Sequence, residues 1–94
     1  MHARTAKGIQ RRLDAMRADP NGTSFSGAIR VAEYFFGEGR QSGSHVVFKM
    51  PWPGDPRVNF QRSGKNRAKT YQVMQLLAAV ERMEQTTRKG PPDV

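Results

Sequence analysis

Two alternating stretches joined by a proline-rich reversal, and helical spacing of apolar residues on both sides of them, predict an α+β domain. The expected order is α-α-β-β-β-α, with the helices on one face of an antiparallel sheet. The alternation lies within Arg40–Gln61, RQSGSHVVFKMPWPGDPRVNFQ. From Ser44 to Met50, Val46, Phe48 and Met50 are expected on one side of a strand and His45, Val47 and Lys49 on the other. Pro51, Pro53 and Pro56 end that strand, because proline cannot donate to a ladder. A second strand is expected from Arg57 to Gln61, with Val58 and Phe60 on the apolar side and Arg57, Asn59 and Gln61 on the polar side. The hairpin so formed has one greasy face and one polar face, and the polar face carries His45 among basic and amide side chains.

Taken in order, residues 1–7 read as a disordered tail that includes His2. Ile9, Leu13 and Met16 recur at helical spacing among Arg11, Arg12 and Arg17, which predicts a helix over 8–18, stopped by Asp19-Pro20-Asn21-Gly22. A second helix should start at Ser24 or Ser26 as N-cap, carry the stripe Phe25, Ala28, Ile29, Ala32, Phe35 and Phe36, and stop at Gly37. Aromatic residues at that spacing are core. Residues 37–41 are expected to form a short first strand. Beyond the hairpin, 62–67 is a basic connector around Ser63-Gly64, and a last helix is expected over 68–85. Its residues Val73, Leu76, Leu77, Val80 and Met83 give the best helical pattern in the chain. Residues 86–94, with Gly90-Pro91-Pro92, read as a second disordered tail, leaving a single domain over 8–85.

A chain of 94 residues builds one small domain with a thin core. No apolar run approaches the length of a membrane span and no signal-peptide core follows the basic N-terminus, so no membrane partner and a cytoplasmic location are expected. With no cysteine there is no disulfide framework and no thiolate metal site. The net charge of +8 favours a polyanionic partner, nucleic acid first. Six cations in 41–70 (Lys49, Arg57, Arg62, Lys65, Arg67 and Lys69) stand against Asp55 alone, whereas 71–94 is neutral. The excess therefore coincides with the hairpin and its connector. A merely solubilising surface would have the same composition but not that coincidence.

The acidic residues are too few and too scattered for two-metal chemistry, and Gly37-Glu38-Gly39 lacks the further glycine of a dinucleotide loop. No metal and no cofactor are expected. His45 remains. Imidazole exchanges protons near neutral pH, and RNA supplies its own nucleophile, the 2′-hydroxyl, once a base takes its proton. Nearby cations would stabilise the charge that builds on the phosphoryl oxygens. Lys49 on the same face and Arg57 on the partner strand are expected to hold phosphate near His45, with Lys65 and Lys69 touching the RNA backbone further out. The alternative is a surface histidine hydrogen-bonded to the Ser42-Gly43-Ser44 turn. A DNA-binding regulator lacks its recognition helix here, since Pro20 and Gly22 interrupt the only close helix pair.

Gly43-Ser44-His45 after a helix-to-strand passage, the apolar hairpin, a basic glycine-containing connector and a C-terminal amphipathic helix together resemble the HicA toxins. The strings RQSGSH, PWPGDPRVNFQ and AKTYQVMQLL are similar to an actinobacterial-type branch of that family, and the similarity covers about residues 24–84. The resemblance implies a double-stranded-RNA-binding-like fold with a three-stranded antiparallel sheet. It also implies a metal-independent endoribonuclease, an mRNA interferase of a type II toxin-antitoxin system, held inactive by a HicB-like antitoxin. It makes His45 the catalytic residue. The expected RNA contacts are Arg40, Ser44, Lys49, Arg57, Lys65 and Lys69. Two features depart from the family pattern. The helix over 8–18 is extra, and Thr70-Tyr71-Gln72 stands where Pro-Gly-Thr often opens the last helix. A non-catalytic RNA-binding module on the same fold is the alternative function.

Overall fold

The structure, a computed structural model, describes residues 5–89. It contains three helices, α1 (Lys7–Ala18), α2 (Phe25–Phe36) and α3 (Thr70–Lys89), and one antiparallel sheet of four strands. These are β1 (Arg40–Ser42), β2 (His45–Val47), β3 (Asn59–Ser63) and β4 (Arg67–Ala68), neighbours in the sheet in the order they occur in the chain.

The sheet therefore has four strands where three were expected. The extra one comes from the end of the basic connector and from the expected start of the last helix. Arg62 pairs with Ala68 and Ser63 with Arg67, so Ala68 is strand and α3 begins at Thr70. Asn66 makes this possible. It sits at φ 22, and its side-chain oxygen accepts from the Ser26 N–H at 3.1 Å while its amide donates to the Ser26 hydroxyl at 3.1 Å. The Asn66 carbonyl accepts from the Phe25 N–H, and Ala68 N–H donates to the Thr23 carbonyl. The start of α2 thus closes the outer edge of β4. At its other end α3 runs to Lys89, past Gln85, and the remaining residues expected as tail, 1–4 and 90–94, lie outside the described residues.

The hairpin alternation holds, with the first strand shorter than the expected Ser44–Met50 and the second shifted two residues on from the expected Arg57–Gln61. Val46 pairs with Phe60 and His45 with Gln61, and the Phe48 N–H donates to the Val58 carbonyl just beyond the named strands. Phe48, Val58, Phe60 and Ala68 turn to the core and meet Ala28, Val31 and Ala32 of α2 and Val73, Leu76, Ala79 and Val80 of α3. Burying these apolar side chains is what holds the sheet to the helices, at about 1.5–3 kcal/mol for each large one. Helix α1 contributes Ile9, Leu13 and Met16 to the same core and packs on both other helices, so it is part of the domain.

Local chemistry fixes the ends. Ser24 is the N-cap of α2, its hydroxyl accepting from the Gly27 N–H at 3.0 Å. Gly39 must lack a side chain, because a Cβ there would lie 2.6 Å from Val46 and 2.8 Å from Phe48. Gly43, at φ 59, supplies the first central position of the two-residue turn that joins Ser42 to its partner His45. The Pro51–Pro56 loop is anchored through Trp52. Its indole N–H donates to the Pro56 carbonyl at 2.8 Å, its ring meets Phe36 edge-on, and the Arg82 guanidinium lies 4.5 Å above it.

Candidate RNA-binding face and its histidine

With the helices on one side, the opposite side of the sheet is left open, and strand register decides what it displays. Residues directly opposite across an antiparallel pair share a face. One row across the sheet is Ser42, His45 and Gln61. The next is Arg40, Val47 and Asn59. Beyond the named strands the Phe48 N–H still donates to the Val58 carbonyl, and Arg57 lines a cleft with Val47 and Asn59 of the second row, whereas Lys49 lies with Phe35, Phe36 and Met83 on the helix side. Ser63 and Arg67 continue the face on the other side of the first row. Arg40, Arg57, Arg67 and Lys69 thus stand on or beside one surface.

His45 is half-buried at the centre of its row, and among the described residues its imidazole makes no hydrogen bond. The Ser42-Gly43-Ser44 turn, the alternative partner expected for it, instead takes a bond from the Gln41 side chain, which donates to the Gly43 carbonyl at 2.9 Å. Ser44 is exposed in that turn. Arg40 lies diagonal to His45, a separation of about 7–8 Å for such pairs.

The cations are not distributed around His45 as expected. Lys49 lies two residues past the end of β2, beside Phe35, Phe36 and Met83 on the helix side, and Arg57 stands two residues before β3, at the far end of the face. Lys69, expected further out, is the closer group: its Nζ donates at 2.9 Å to Oε1 of Gln61, the cross-strand partner of His45. The physical reason is the fourth strand, which turns the connector back and lays Lys69 against Gln61. Lys65 sits in the exposed β3–β4 turn, away from the histidine. Arg62, on the core side of β3, stacks at 4.7 Å over the Phe25 ring and is not on the open face.

Three further residues contribute. Arg67 faces the open side because β4 exists. Gln72 is 2% exposed; its Oε1 accepts the Gln61 N–H at 2.9 Å, and its amide donates to Asn59 Oδ1 at 3.3 Å. It takes the place of a strand where β4 has ended. Tyr71, at the start of α3, is 63% exposed, and its hydroxyl lies 3.5 Å from the same Gln72 amide nitrogen. A polar residue beside the apolar stripe of α3 was the only sequence signal for Gln72. Neither Arg67 nor Tyr71 had one.

At the far end a cleft of about 430 Å³ opens between Val47, Arg57 and Asn59 of the face and Met50, Trp52 and Pro53 of the loop. No group of three or more His, Asp or Glu side chains that could hold a metal is found among the described residues. No helix among them is long and apolar enough to cross a membrane. Comparison with known proteins finds no matching family model and no significantly similar curated protein or solved structure.

Proposed function

We propose that the protein is a HicA-like toxin, an endoribonuclease that cleaves mRNA at the open face of the sheet with His45 as general base or acid. The observation that carries this reading is His45 itself: an imidazole with no hydrogen bond among the described residues, set between Arg40 and the Gln61–Lys69 pair on a basic surface. The run of α2, antiparallel strands and α3 supports a double-stranded-RNA-binding-like fold, to which β4 and α1 are additions.

In the proposed reaction His45 takes the proton of a ribose 2′-hydroxyl, the freed oxygen bonds to the adjacent phosphorus, and the P–O5′ bond breaks. Solvent returns a proton to the 5′-oxygen, so the ends are a 2′,3′-cyclic phosphate and a 5′-hydroxyl. Lys69 and Arg40 stabilise the phosphoryl oxygens as charge builds on them. The step needs no metal. A free ribonuclease endangers the cell that makes it, and the open face offers an acidic HicB-like antitoxin a concentrated positive field to bind and cover.

The test is RNA cleavage by the purified protein with a chelator present, with end-group analysis. His45→Ala should lower the rate by about 10²–10⁴ while the far-UV spectrum stays that of the wild type. Undiminished cleavage by the variant removes His45 from the chemistry. RNA binding without any cleavage by the wild type favours the non-catalytic RNA-binding module.

A further inference from the structure

Four large hydrophobic side chains are exposed among the described residues, and three of them, Val47, Tyr71 and Met74, follow one line across and beyond the open face. Val47 is in the middle row, opposite Asn59. The Asn59 side-chain oxygen and the Tyr71 hydroxyl both fall within 3.5 Å of the Gln72 amide nitrogen, which places Tyr71 at the rim of that row. Met74 is one helical turn further along α3, on the same side as Tyr71. The apolar row has cations on both sides: Lys69, beside the row of His45, on one, and Arg57 on the other. Neighbouring rows are two strand residues apart, about 7 Å.

Tyr71 does little for the fold. At 63% exposure it adds little to the core, and a 3.5 Å approach to an amide that already serves Asn59 is at the limit of a hydrogen bond. An exposed ring with cations on either side matches one kind of partner well. Unpaired bases offer π-faces to a tyrosine while their phosphates run to cations on either side, whereas in a duplex those faces are stacked on each other.

We infer that Tyr71, with Val47, is a stacking platform for an unpaired base next to the phosphate held at His45, and that the RNA taken by this face is single-stranded there. This rests on the ribonuclease reading for the identity of the polyanion, but not on catalysis. A protein partner covering the same strip is the competing occupant, and the cations on either side of the strip, Lys69 and Arg57, favour RNA.

The test measures binding in the His45→Ala background, where the RNA stays intact. The probes are a single-stranded oligonucleotide carrying 2-aminopurine and the same strand annealed to its complement. The single strand should bind more tightly than the duplex and show quenched 2-aminopurine fluorescence. Tyr71→Ala should weaken it about tenfold and abolish the quench, with the salt dependence unchanged, while Tyr71→Phe retains both. A melting temperature unchanged in Tyr71→Ala separates this from a folding defect. Equal or tighter duplex binding, or full RNA affinity in Tyr71→Ala, overturns the inference but leaves the ribonuclease reading standing. Loss of binding to a co-purifying acidic protein, with RNA affinity unchanged, gives the strip to a protein. No RNA binding by any form overturns both.

Discussion

At one end of the open face Lys69 is hydrogen-bonded to Gln61, Gln61 is the cross-strand partner of His45, and buried Gln72 holds the Gln61 backbone. At the other end Arg57 stands beside Val47 and Asn59, with Lys49 past the end of β2, and among the described residues the two side chains make no hydrogen bond or ion pair. Both ends attract phosphate. They differ in how much side-chain freedom remains to be lost when phosphate arrives. A long charged side chain loses up to about 1.5–2 kcal/mol of rotamer entropy on being ordered, and at the His45 end part of that loss has occurred on folding. Fixed charge suits stabilisation of a transition state, whose geometry is narrow. Mobile charge suits capture of a backbone whose path varies.

The largest expected effect tests that division directly. Lys69→Ala should slow single-turnover cleavage by about 10²–10³, as loss of a preorganised donor does, with modest change in RNA affinity. The double variant Lys49→Ala/Arg57→Ala should keep the chemical step within a few fold. Equal losses in the two variants would erase the distinction between the ends.

Gln72→Ala sharpens the comparison by loosening one end only. It leaves the Gln61 N–H without its acceptor, and urea unfolding should show a loss of about 1–3 kcal/mol. Unchanged stability would mean that Gln61 is held by something other than this bond. At the capture end, the same Lys49/Arg57 double variant should flatten the plot of log affinity against log salt by roughly one unit per lost phosphate contact. An unaltered slope would move the RNA backbone off this end. The smallest effect is expected away from both. Arg17, on α1, pairs loosely with Asp14 at 3.8 Å and Glu84 at 3.9 Å, and Arg17→Ala should stay within about 0.5 kcal/mol of the wild type in the same urea assay.

The part of this surface that could be read from sequence is the part governed by local periodicity. Val46, Phe48, Val58 and Phe60 alternate with His45, Arg57 and Asn59, so the two faces of the hairpin follow from a period of two, and the stripe of α3 follows from a period of 3.6. Fourth-strand formation was not legible. Arg67-Ala68 is too short to show a period, Ala68 is a good helix former, and what makes it strand is the grip of Asn66 on Ser26, across 40 residues. Everything that depended on β4 was missed with it: the proximity of Lys69 to His45, the exposure of Arg67 on the open side, and the use of Gln72 as a substitute strand. Equal spacing along a strand had made Lys49 look near and Lys69 far. Pairing across strands reverses that order.

The anchored Trp52 gives the molecule an optical gauge. It is the only tryptophan in the sequence, and its indole touches Phe36 from α2, Arg82 from α3 and the Pro56 carbonyl of its own loop. Its emission therefore samples both helices and the hairpin tip at once. It also borders the cleft that Arg57 lines, so an oligonucleotide settling at the capture end would perturb it without any label. Unfolding and RNA arrival become readable from one intrinsic chromophore, and the first as a red shift when the indole meets water.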